Sequence, residues 1–351
     1  MRVLQLARSA FWTLVAMTLA ACGGSRSFDG SFDPSQSSAH IVTARGASLD
    51  RSGGVSRMGV VPGRSGDGSW MNPRAKAGDL MYVSEYADGT VLVYTYPALK
   101  KAGKLTGLSY PDGICTDKKG NVFVVNNGAG RGITEYAHGG KSPIAQLDDG
   151  AQYAVSCDVD PVTGNVAVSN YDSYFSDPGS FVIYPKAQNN PVYYTDPNIS
   201  VALFCGYDNK GNLFVDGLTP AYENFFAELP KGKSKFTFID VKGGTGQFGF
   251  PGTIRWDGTH VVVGNQQFEY LGSAYYDSAI LITTGAGGKI LKTIELKGST
   301  DVQGFAIDGK TLIGVDVSLG VVAFYPYPGN GKPSKKITGL RDLRGVVVSK
   351  K

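Results

Sequence analysis

Short apolar segments recur along the chain from residue 80 onward, each of a length suited to a single β-strand. Most of their positions are apolar in succession rather than in alternation, which indicates strands that are covered on both faces. Aligned on one apolar position each, the segments lie 41, 44, 47, 48 and 51 residues apart. They are "LMYVSEY" (80–86), "NVFVVNN" (121–127), "NVAVSNY" (165–171), "NLFVDGL" (212–218), "HVVVGNQ" (260–266) and "TLIGVDV" (311–317).

Each segment has similar neighbours in the sequence. A short apolar strand and a tight turn such as "DKKGN" precede it, and two further strand-like segments follow, so the pattern predicts four strands per repeat. Repeats of about 40–50 residues with four strands are typical of β-propeller blades. The sequence therefore predicts an all-β protein with a six-bladed β-propeller over residues 76–351.

The two ends of this domain complement each other. It opens with a second strand (80–86) that lacks a first, and it ends with "LRGVVVS" (343–349), a first strand that lacks a second. Pairing the two would complete one blade and remove an open sheet edge. The phrases "DKKGNVFVVNN" (117–127) and "DNKGNLFVDG" (208–217) resemble NHL-repeat and YVTN-type propellers, and more loosely the gluconolactonase type. This resemblance implies the fold, because it lies in the repeat pattern rather than in a catalytic signature.

The first residues have the pattern of an export signal. Arg2 and Arg8 flank the start of an apolar run, "SAFWTLVAMTLA" (9–20), that is too short to span a bilayer stably. The run closes with "LAAC", which resembles the lipobox of bacterial lipoproteins and implies cleavage after residue 21 and lipidation of Cys22. An ordinary signal peptide with a cysteine beside its cleavage site is the alternative. Gly23, where an Asp would indicate inner-membrane retention, is compatible with the outer membrane.

Residues 22–75 are rich in Gly, Ser, Arg and Asp and contain few large apolar side chains. A segment of this composition does not bury enough apolar surface to order itself. We expect a flexible tether between the lipid and the propeller. The alternative is an N-terminal strand, with "SWMNP" (69–73) as the piece that docks.

Charge and histidine content exclude several function classes. The net charge of +4 falls to +2 once Arg2 and Arg8 are removed with the signal peptide, so no basic surface for nucleic acid is predicted. The histidines, His40, His138 and His260, fall in unrelated places. A Ser-His-Asp arrangement or a histidine-based zinc site is therefore not expected.

The loops that follow the second strands differ among the repeats and concentrate aromatic, amide and acidic side chains. Aromatic faces mixed with such polar groups suit sugar rings or peptide side chains. The alternative is that these rings only pack over the end of the propeller. Loops that lead into the first strands add Tyr110 and Tyr153. We predict ligand contacts at Asn127, Arg131, Tyr171, Tyr174, Tyr222, Asn224, Gln267, Tyr270 and Tyr276.

Two features raise the question of a metal ion, although no cofactor is predicted overall. "YPDGICTD" (110–117) is similar to the P-D-G segment of gluconolactonase-type propellers, and that resemblance implies Asp112 as a metal ligand. The Glu and Asn ligands of that family have no match at the corresponding places. Oxygen-bearing side chains also end the second strands, where they could surround a divalent cation, Ca²⁺ being the best match; the alternative, implied by the resemblance to NHL-type repeats, is that they bond the following turn. These are Glu85, Asn126, Asn170, Asp216, Asn265 and Asp316.

The cysteines after Cys22 lie in predicted first strands. Cys157 and Cys205 occupy equivalent positions on adjacent blades, whereas Cys115 falls on the opposite face of its strand. An oxidising compartment permits a Cys157–Cys205 disulfide if the Cα atoms are close enough. Buried free thiols are the alternative.

Together these features predict an exported protein, lipid-anchored to the bacterial envelope. We expect a non-catalytic binding module for a glycan, a peptide or an envelope protein, with the lipid as its membrane contact and no nucleic-acid partner. One alternative is a metal-dependent, lactonase-like hydrolase centred on Asp112. A second alternative is a scaffold in an outer-membrane protein assembly.

Overall fold

The computed structural model describes residues 68–351 except 129–131, 151, 172–177, 244–248 and 269–275. For residues 267–268 and 276–279 it describes the backbone only. The described residues belong to one compact unit, Val61–Lys351. They form 25 strands and three one-turn 3-10 helices. Within this part of the chain, no helix is long and apolar enough to cross a bilayer.

The strands form six antiparallel sheets, or blades, in which consecutive strands are neighbours. The first strands of neighbouring blades contact one another in a closed circle, so the fold is the predicted six-bladed β-propeller. Blade 1 contains β1 (Trp70–Met71), β2 (Leu80–Glu85), β3 (Thr90–Thr95), β4 (Lys101–Leu105) and β25 (Leu343–Ser349). Blade 2 contains β5 (Pro111–Thr116), β6 (Val122–Asn126), β7 (Ile133–Tyr136) and β8 (Pro143–Leu147). Blade 3 contains β9 (Tyr153–Val159), β10 (Val166–Tyr171), β11 (Ser180–Tyr184) and β12 (Val192–Tyr194).

The other three blades have the same plan. Blade 4 contains β13 (Val201–Tyr207), β14 (Leu213–Leu218), β15 (Asn224–Leu229) and β16 (Thr237–Phe238). Blade 5 contains β17 (Phe250–Trp256), β18 (Val261–Phe268), β19 (Tyr276–Thr283) and β20 (Ile290–Glu295). Blade 6 contains β21 (Val302–Asp308), β22 (Thr311–Asp316), β23 (Val321–Pro326) and β24 (Lys335–Ile337).

The hydrophobic core is divided among the spaces between blades. One apolar cluster lies between each pair of neighbours; Tyr82 and Val93 of blade 1, for example, pack with Ile114 and Val124 of blade 2. Every residue of β2, β6 and β14 is buried. Coverage on both faces explains why the second strands are apolar at successive positions rather than alternate ones.

The repeated Asp-x-Lys-Gly-Asn phrase forms the turn between the first and second strands. The Asp117 carboxylate accepts hydrogen bonds from the N–H groups of Lys119 and Asn121, both at 2.8 Å, and Asp208 repeats the pattern in blade 4. Gly120 has a φ of +79°, a conformation that glycine adopts without a Cβ penalty. The phrase therefore recurs because the blade needs this turn.

Blade 1 is closed by the C-terminal strand, as predicted. β25 pairs with β2, so that Leu80 lies opposite Ser349. Beyond the strand, the Lys350 ammonium lies 3.1 Å from the Asp79 carboxylate and 2.8 Å from that of Asp308. The closing strand thus leaves β2 with partners on both sides and removes the open edge.

The predicted boundary between tether and propeller lies too late in the chain. Trp70 and Met71, placed in the tether by composition, pair with Lys104 and Gly103 as a fifth strand on the outside of blade 1. Met71 packs against the apolar cluster between blades 1 and 2. "SWMNP" (69–73) therefore docks, through backbone pairing with β4 and the packing of Met71. Residues 22–67 of the predicted tether, Cys22 among them, lie outside the described residues.

The predicted Cys157–Cys205 disulfide is wrong. Cys157 instead bonds Cys115, with a Cα–Cα distance of 5.7 Å, and Cys205 is free and buried. Equivalent residues of successive blades point the same way around the ring, so Cys157 and Cys205 do not face each other. Cys115 lies on the opposite face of its strand, and for that reason it points forward from blade 2 and meets Cys157 of blade 3.

Candidate functional site

The first strands surround the central channel of the propeller, and each is irregular near its beginning. The pairing with the second strand shifts register between Pro111 and Ile114 in β5, with comparable shifts in the other five blades. Such bulges leave residues outside the ladder and re-aim their side chains. Three blades place a polar residue directly before a glycine in the bulge: Asp112, Gln303 and Arg344.

A glycine follows each of these polar residues because the neighbouring first strand lies close. A Cβ on Gly113 would lie 2.7 Å from the Val155 carbonyl oxygen, and a Cβ on Gly345 would lie 2.7 Å from that of Asp112. Ser84 joins the same two strands: it accepts a hydrogen bond from Gly345 N–H at 2.7 Å and donates to the Asp112 carbonyl at 2.6 Å. The glycine of the Pro-Asp-Gly segment thus permits close packing of blades.

Arg344 is the central polar side chain of the cluster. Its Nη1 donates to Gln303 Oε1 at 3.0 Å and its Nη2 to Asp342 Oδ1 at 3.2 Å. The guanidinium lies 4.8 Å from the centre of the Tyr86 ring, and the side chain is only 9% exposed. Burial lowers the pKa of Arg344. Nearby carboxyl groups, of which Asp112 has the largest effect, raise it by more, so the pKa lies above its usual value.

Asp112 is half-buried beside this guanidinium. Burial raises the pKa of the Asp112 carboxyl to about 7; Arg344 opposes the shift and Asp342 adds to it. Within the described part of the chain, no hydrogen bond satisfies this carboxyl, although its backbone carbonyl accepts one from Ser84. Burial also raises the pKa of Asp301, which Arg344 again opposes. The cluster therefore combines one fixed positive charge with three carboxyl groups.

Tyrosine rings border the same end of the channel. Tyr86 lies between Arg344 and Tyr110, with a centroid distance of 5.1 Å to the Tyr110 ring. Tyr153 and Tyr171 stack on each other at 5.6 Å. We call the set formed by Tyr86, Tyr110, Asn127, Tyr153 and Tyr171, with Asp112 and Arg344 beside it, the channel mouth.

Asn127 ties these rings to the blades. Its Oδ1 accepts hydrogen bonds from the hydroxyl of Tyr86 at 2.8 Å and from that of Tyr171 at 3.5 Å. Its Nδ2 donates to the Ala154 carbonyl at 2.9 Å, and its N–H donates to the Tyr110 carbonyl at 3.0 Å. A buried amide that bonds groups from three blades fixes the ring positions, so Asn127 organises the mouth.

A second arginine crosses the channel below the mouth. Blades 2 and 5 are opposite each other in a ring of six, and Arg255 Nη2 of blade 5 lies 3.4 Å from the Ile114 carbonyl of blade 2. Burial raises the pKa of Asp158, while Arg255 and a hydrogen bond from the Tyr207 N–H lower it. Arg255 therefore connects two opposite blades across the channel.

The predicted ligand contacts fall into three groups. Asn127 and Tyr171 belong to the channel mouth, although Asn127 is buried there. Tyr222 is half-buried and Asn224 is exposed, and both lie on blade 4, away from the Arg344 cluster. Arg131, Tyr174 and Tyr270 lie outside the described residues, and of Gln267 and Tyr276 only the backbone is described, in the paired strands β18 and β19.

The polar ends of the second strands bond locally in at least three blades. Asn126 Oδ1 accepts a hydrogen bond from Ser109 N–H at 3.1 Å, Asp216 Oδ1 from Phe204 N–H at 3.0 Å, and Asp316 Oδ2 from Thr300 N–H at 2.6 Å. Each bonded N–H lies in or just before the first strand of the same blade. These side chains therefore bond locally, but mainly to the entry of the first strand rather than to the following turn; Asp316 also accepts from the following turn, at Leu319 N–H. Among the described residues, no group of three or more His, Cys, Asp or Glu side chains is arranged to hold a metal ion.

Sequence comparison and structural comparison give different results. The chain matches no known protein family and no curated protein sequence. It is similar to a chain in the crystal structure of a nidogen/laminin complex, with a TM-score of 0.60 and 11% identity over 78% of this chain and 98% of that one. A protein of unknown function from Bacteroides caccae gives a TM-score of 0.57 and 10% identity over 78% and 100%.

Hydrazine synthase from Kuenenia stuttgartiensis is a third similar structure, with a TM-score of 0.50 and 14% identity over 70% of this chain and 72% of that one. Because all three identities are low, these similarities show the propeller fold alone.

Proposed function

We propose that the protein is a non-catalytic binding module of the bacterial envelope that holds a glycan or peptide ligand at the channel mouth. The observation that carries this proposal is the contiguous arrangement of Tyr110, Tyr86 and Arg344, with Asp112 beside them. Flat aromatic area next to a few fixed polar groups is the usual composition of a binding site for a small polar ligand.

Binding fits the chemistry of the mouth better than metal-dependent hydrolysis does. Asp112, the one residue that the gluconolactonase resemblance nominates as a ligand, has the Arg344 guanidinium as its electrostatic partner. That fixed positive charge repels a divalent cation at the same carboxyl. One oxygen each of Asn126, Asp216 and Asp316 also accepts a hydrogen bond from a backbone N–H, although Asp216 Oδ2 has no partner among the described residues.

Two features support localisation to the bacterial envelope. The "LAAC" motif provides Cys22 as the lipid attachment site, and a single lipid-bearing terminus anchors a protein rather than spanning the membrane. The Cys115–Cys157 disulfide suits an oxidising compartment outside the cytoplasm. We therefore propose an exported lipoprotein of the outer membrane.

A binding screen tests the proposal. The full-length protein would be applied to glycan and peptide arrays, and each hit would be compared between the wild type, Tyr110→Ala and Tyr193→Ala. Tyr193 is a matched control, because it is 46% exposed on the outer strand of blade 3 whereas Tyr110 is 37% exposed at the mouth. The proposal requires hits that Tyr110→Ala weakens and Tyr193→Ala does not.

Two further measurements complete this test. Mass spectrometry of a recovered ligand should show it unchanged after prolonged incubation, whereas conversion to a product would overturn the non-catalytic assignment. Membrane fractionation of cells that express Cys22→Ala should release the protein from the membrane. Retention of that variant would contradict the lipid anchor.

A further inference from the structure

We infer that the end of the propeller opposite the channel mouth lies against an anionic lipid bilayer. We call this end the turn face: it consists of the turns between the first and second strands of each blade and of those between the third and fourth strands. This inference rests on the proposed location at the bacterial envelope and adds which side of the propeller faces the membrane.

The turns of the turn face lie at one end of the propeller and contact one another. In an antiparallel blade, the first-to-second and third-to-fourth connections share an end, and the connections that border the channel mouth are at the other end. In blade 4, the Lys231 N–H donates to Asn212 Oδ1 at 3.0 Å, which joins the two turns of that blade. Between blades 3 and 4, a Cβ on Gly211 would lie 3.2 Å from the Asp160 carboxylate. The turns therefore meet both within and between blades.

Every blade contributes an exposed lysine to the turn face. Lysine beside an outer strand protects that edge against pairing with another chain. Lys118 and Lys119 of blade 2 and Lys210 of blade 4 are also exposed, but they lie in turns between the two inner strands, away from any outer edge. Edge protection therefore does not explain them. One exposed lysine from each blade in turn is Lys100, Lys141, Lys186, Lys231, Lys289 and Lys310.

The carboxyl groups of the same turns are withdrawn from the surface. Asp160 and Asp208 are buried and Asp117 is half-buried, and each accepts a hydrogen bond from an N–H group of its own turn at 2.8 Å. Asp240, an exposed carboxyl near the blade 5 turn, is paired with the Lys242 ammonium at 2.7 Å. The exposed charge of the turn face is therefore mainly positive in the part of the chain that the structure describes.

The connections at the other end carry exposed charge of both signs. Asp88, Asp148 and Glu223 are exposed there, and so are Lys297 and Arg341. The negative potential of an anionic bilayer attracts clustered lysines, and it repels exposed carboxylates. Electrostatics therefore favours the turn face over the mouth as the side that lies on such a bilayer.

The proposed anchor permits this orientation. Residues 22–67 of the predicted tether link Cys22 to the described part of the chain, and a flexible chain of that length has an end-to-end distance of about 35–40 Å. A lipid combined with a basic surface also anchors a protein more firmly than either signal alone. With the turn face on the membrane, the channel mouth points away from it, where a soluble glycan or peptide reaches the mouth freely.

The first experiment maps lysine accessibility in the membrane-bound protein. Wild-type protein purified from membranes is reconstituted into vesicles of phosphatidylcholine, alone or mixed with phosphatidylglycerol, and treated with an amine-reactive reagent. Lys118, Lys186 and Lys231 should react about fivefold more slowly, or slower still, on the anionic vesicles, whereas Lys297 should react equally on both. The protection should disappear in about 1 M salt, where the Debye length is about 3 Å. Inorganic phosphate added to the neutral vesicles should not reproduce it.

A second experiment measures the turn face without the lipid, by co-sedimentation of full-length Cys22→Ala protein with the same vesicles. This protein should bind the anionic vesicles about tenfold more tightly than the neutral ones, or tighter still. Adding Lys118→Gln, Lys186→Gln and Lys231→Gln together should weaken binding to the anionic vesicles about 100-fold, because each lysine near such a surface strengthens binding about fivefold.

A matched triple variant controls for the loss of net charge. Lys292→Gln, Lys297→Gln and Lys335→Gln remove the same charge from exposed positions on two outer strands and on a connection at the mouth end. In the Cys22→Ala background this variant should bind the anionic vesicles about as tightly as its parent. The melting temperatures of both triple variants show that they are folded.

The outcomes separate this inference from the proposed function. Equal labelling on the two kinds of vesicle, or equal binding by the two triple variants, would overturn the inference and leave the anchor and the binding module in place; an acidic protein would then be the remaining candidate for the turn face. Fractionation of Cys22→Ala cells in about 1 M salt tests the anchor separately, because that salt removes the contribution of the turn face. Retention under that condition would contradict the anchor and leave the vesicle result in force.

Discussion

The disulfide between blades 2 and 3 makes a quantitative prediction about stability. It joins β5 and β9, two neighbouring strands of the channel wall, and it closes a loop with a sequence separation of 42 residues. In the chain-entropy description, a cross-link over a loop of this length destabilises the unfolded chain by about 4 kcal/mol at 25 °C. Since whole domains are stable by about 5–15 kcal/mol, this one bond accounts for a large part of the total.

Reduction of the wild type is the cleanest perturbation, because it removes the cross-link and leaves every side chain in place. Denaturant unfolding followed by circular dichroism, with and without reductant, should show a loss of about 4 kcal/mol. The Cys115→Ala/Cys157→Ala double variant should lose a similar amount without reductant and should not respond to it. Cys205→Ala is the control: it removes a buried thiol outside the bond, should cost about 1 kcal/mol and should keep the response to reductant.

Peptide mapping without reduction identifies the bond independently of its energy. A digest should yield one peptide pair joined through Cys115 and Cys157, and Cys205 should react with an alkylating reagent once the protein is unfolded. A Cys157–Cys205 pair would refute the argument that equivalent positions on adjacent blades face the same way around the ring. Equal stability of the oxidised and reduced wild type would refute the chain-entropy argument.

Three further substitutions test the channel wall and the closure, each measured by denaturant unfolding. Burial raises the pKa of Asp112 to about 7, so the folded protein holds this proton more tightly than the unfolded chain does, and the contribution of this residue to stability falls as pH rises through about 4 to 7. Asp112→Asn should remove that contribution, which makes the slope shallower and adds up to about 4 kcal/mol at pH 8; an unchanged slope would contradict the assignment. Gly113→Ala places a Cβ 2.7 Å from a backbone carbonyl of blade 3 and should cost about 1–3 kcal/mol, whereas Gly78→Ala, which meets nothing within 4 Å, should be nearly neutral. Ser349→Ala removes the buried hydrogen bond to the Gly120 carbonyl at 2.6 Å and should cost about 1–3 kcal/mol; no loss would show that the end of β25 does not hold the ring closed.

The blade architecture could be predicted from sequence because each blade repeats the same local requirements. Successive apolar positions in β6 and β14 report coverage on both faces, and the Asp117 and Asp208 turns repeat the same hydrogen bonds. The closure followed from a strand missing at one end of the domain and a strand left over at the other. These signals are local, so periodicity alone identifies them.

The channel mouth was only partly predicted, because it depends on long-range placement. Arg344 meets Asp112 only because β25 closes the ring beside β5, and nothing near residue 344 in the sequence indicates a tyrosine partner at residue 86. A signal was nevertheless present: "LRGV", "VQGF" and "PDGI" place a polar residue before a glycine at equivalent positions of three first strands. The disulfide was also only partly predicted. The sequence placed Cys115 on the opposite face of its strand from Cys157 and Cys205, which is correct, but it did not identify Cys157 as the partner of Cys115.

The closure by β25 also sets the order in which the ring can be completed. Ser84 and Gly345, which bond each other across this junction, are 261 residues apart. At about 5–20 residues per second, the ribosome takes roughly 10–50 seconds to make the intervening chain. During that interval β2 has no inner partner, and blades 2 to 6 have all of their own strands before blade 1 does. Blade 1 is thus the last to be assembled although its strands begin first, and a chaperone that shields an unpaired strand in that interval would act on the β2 edge.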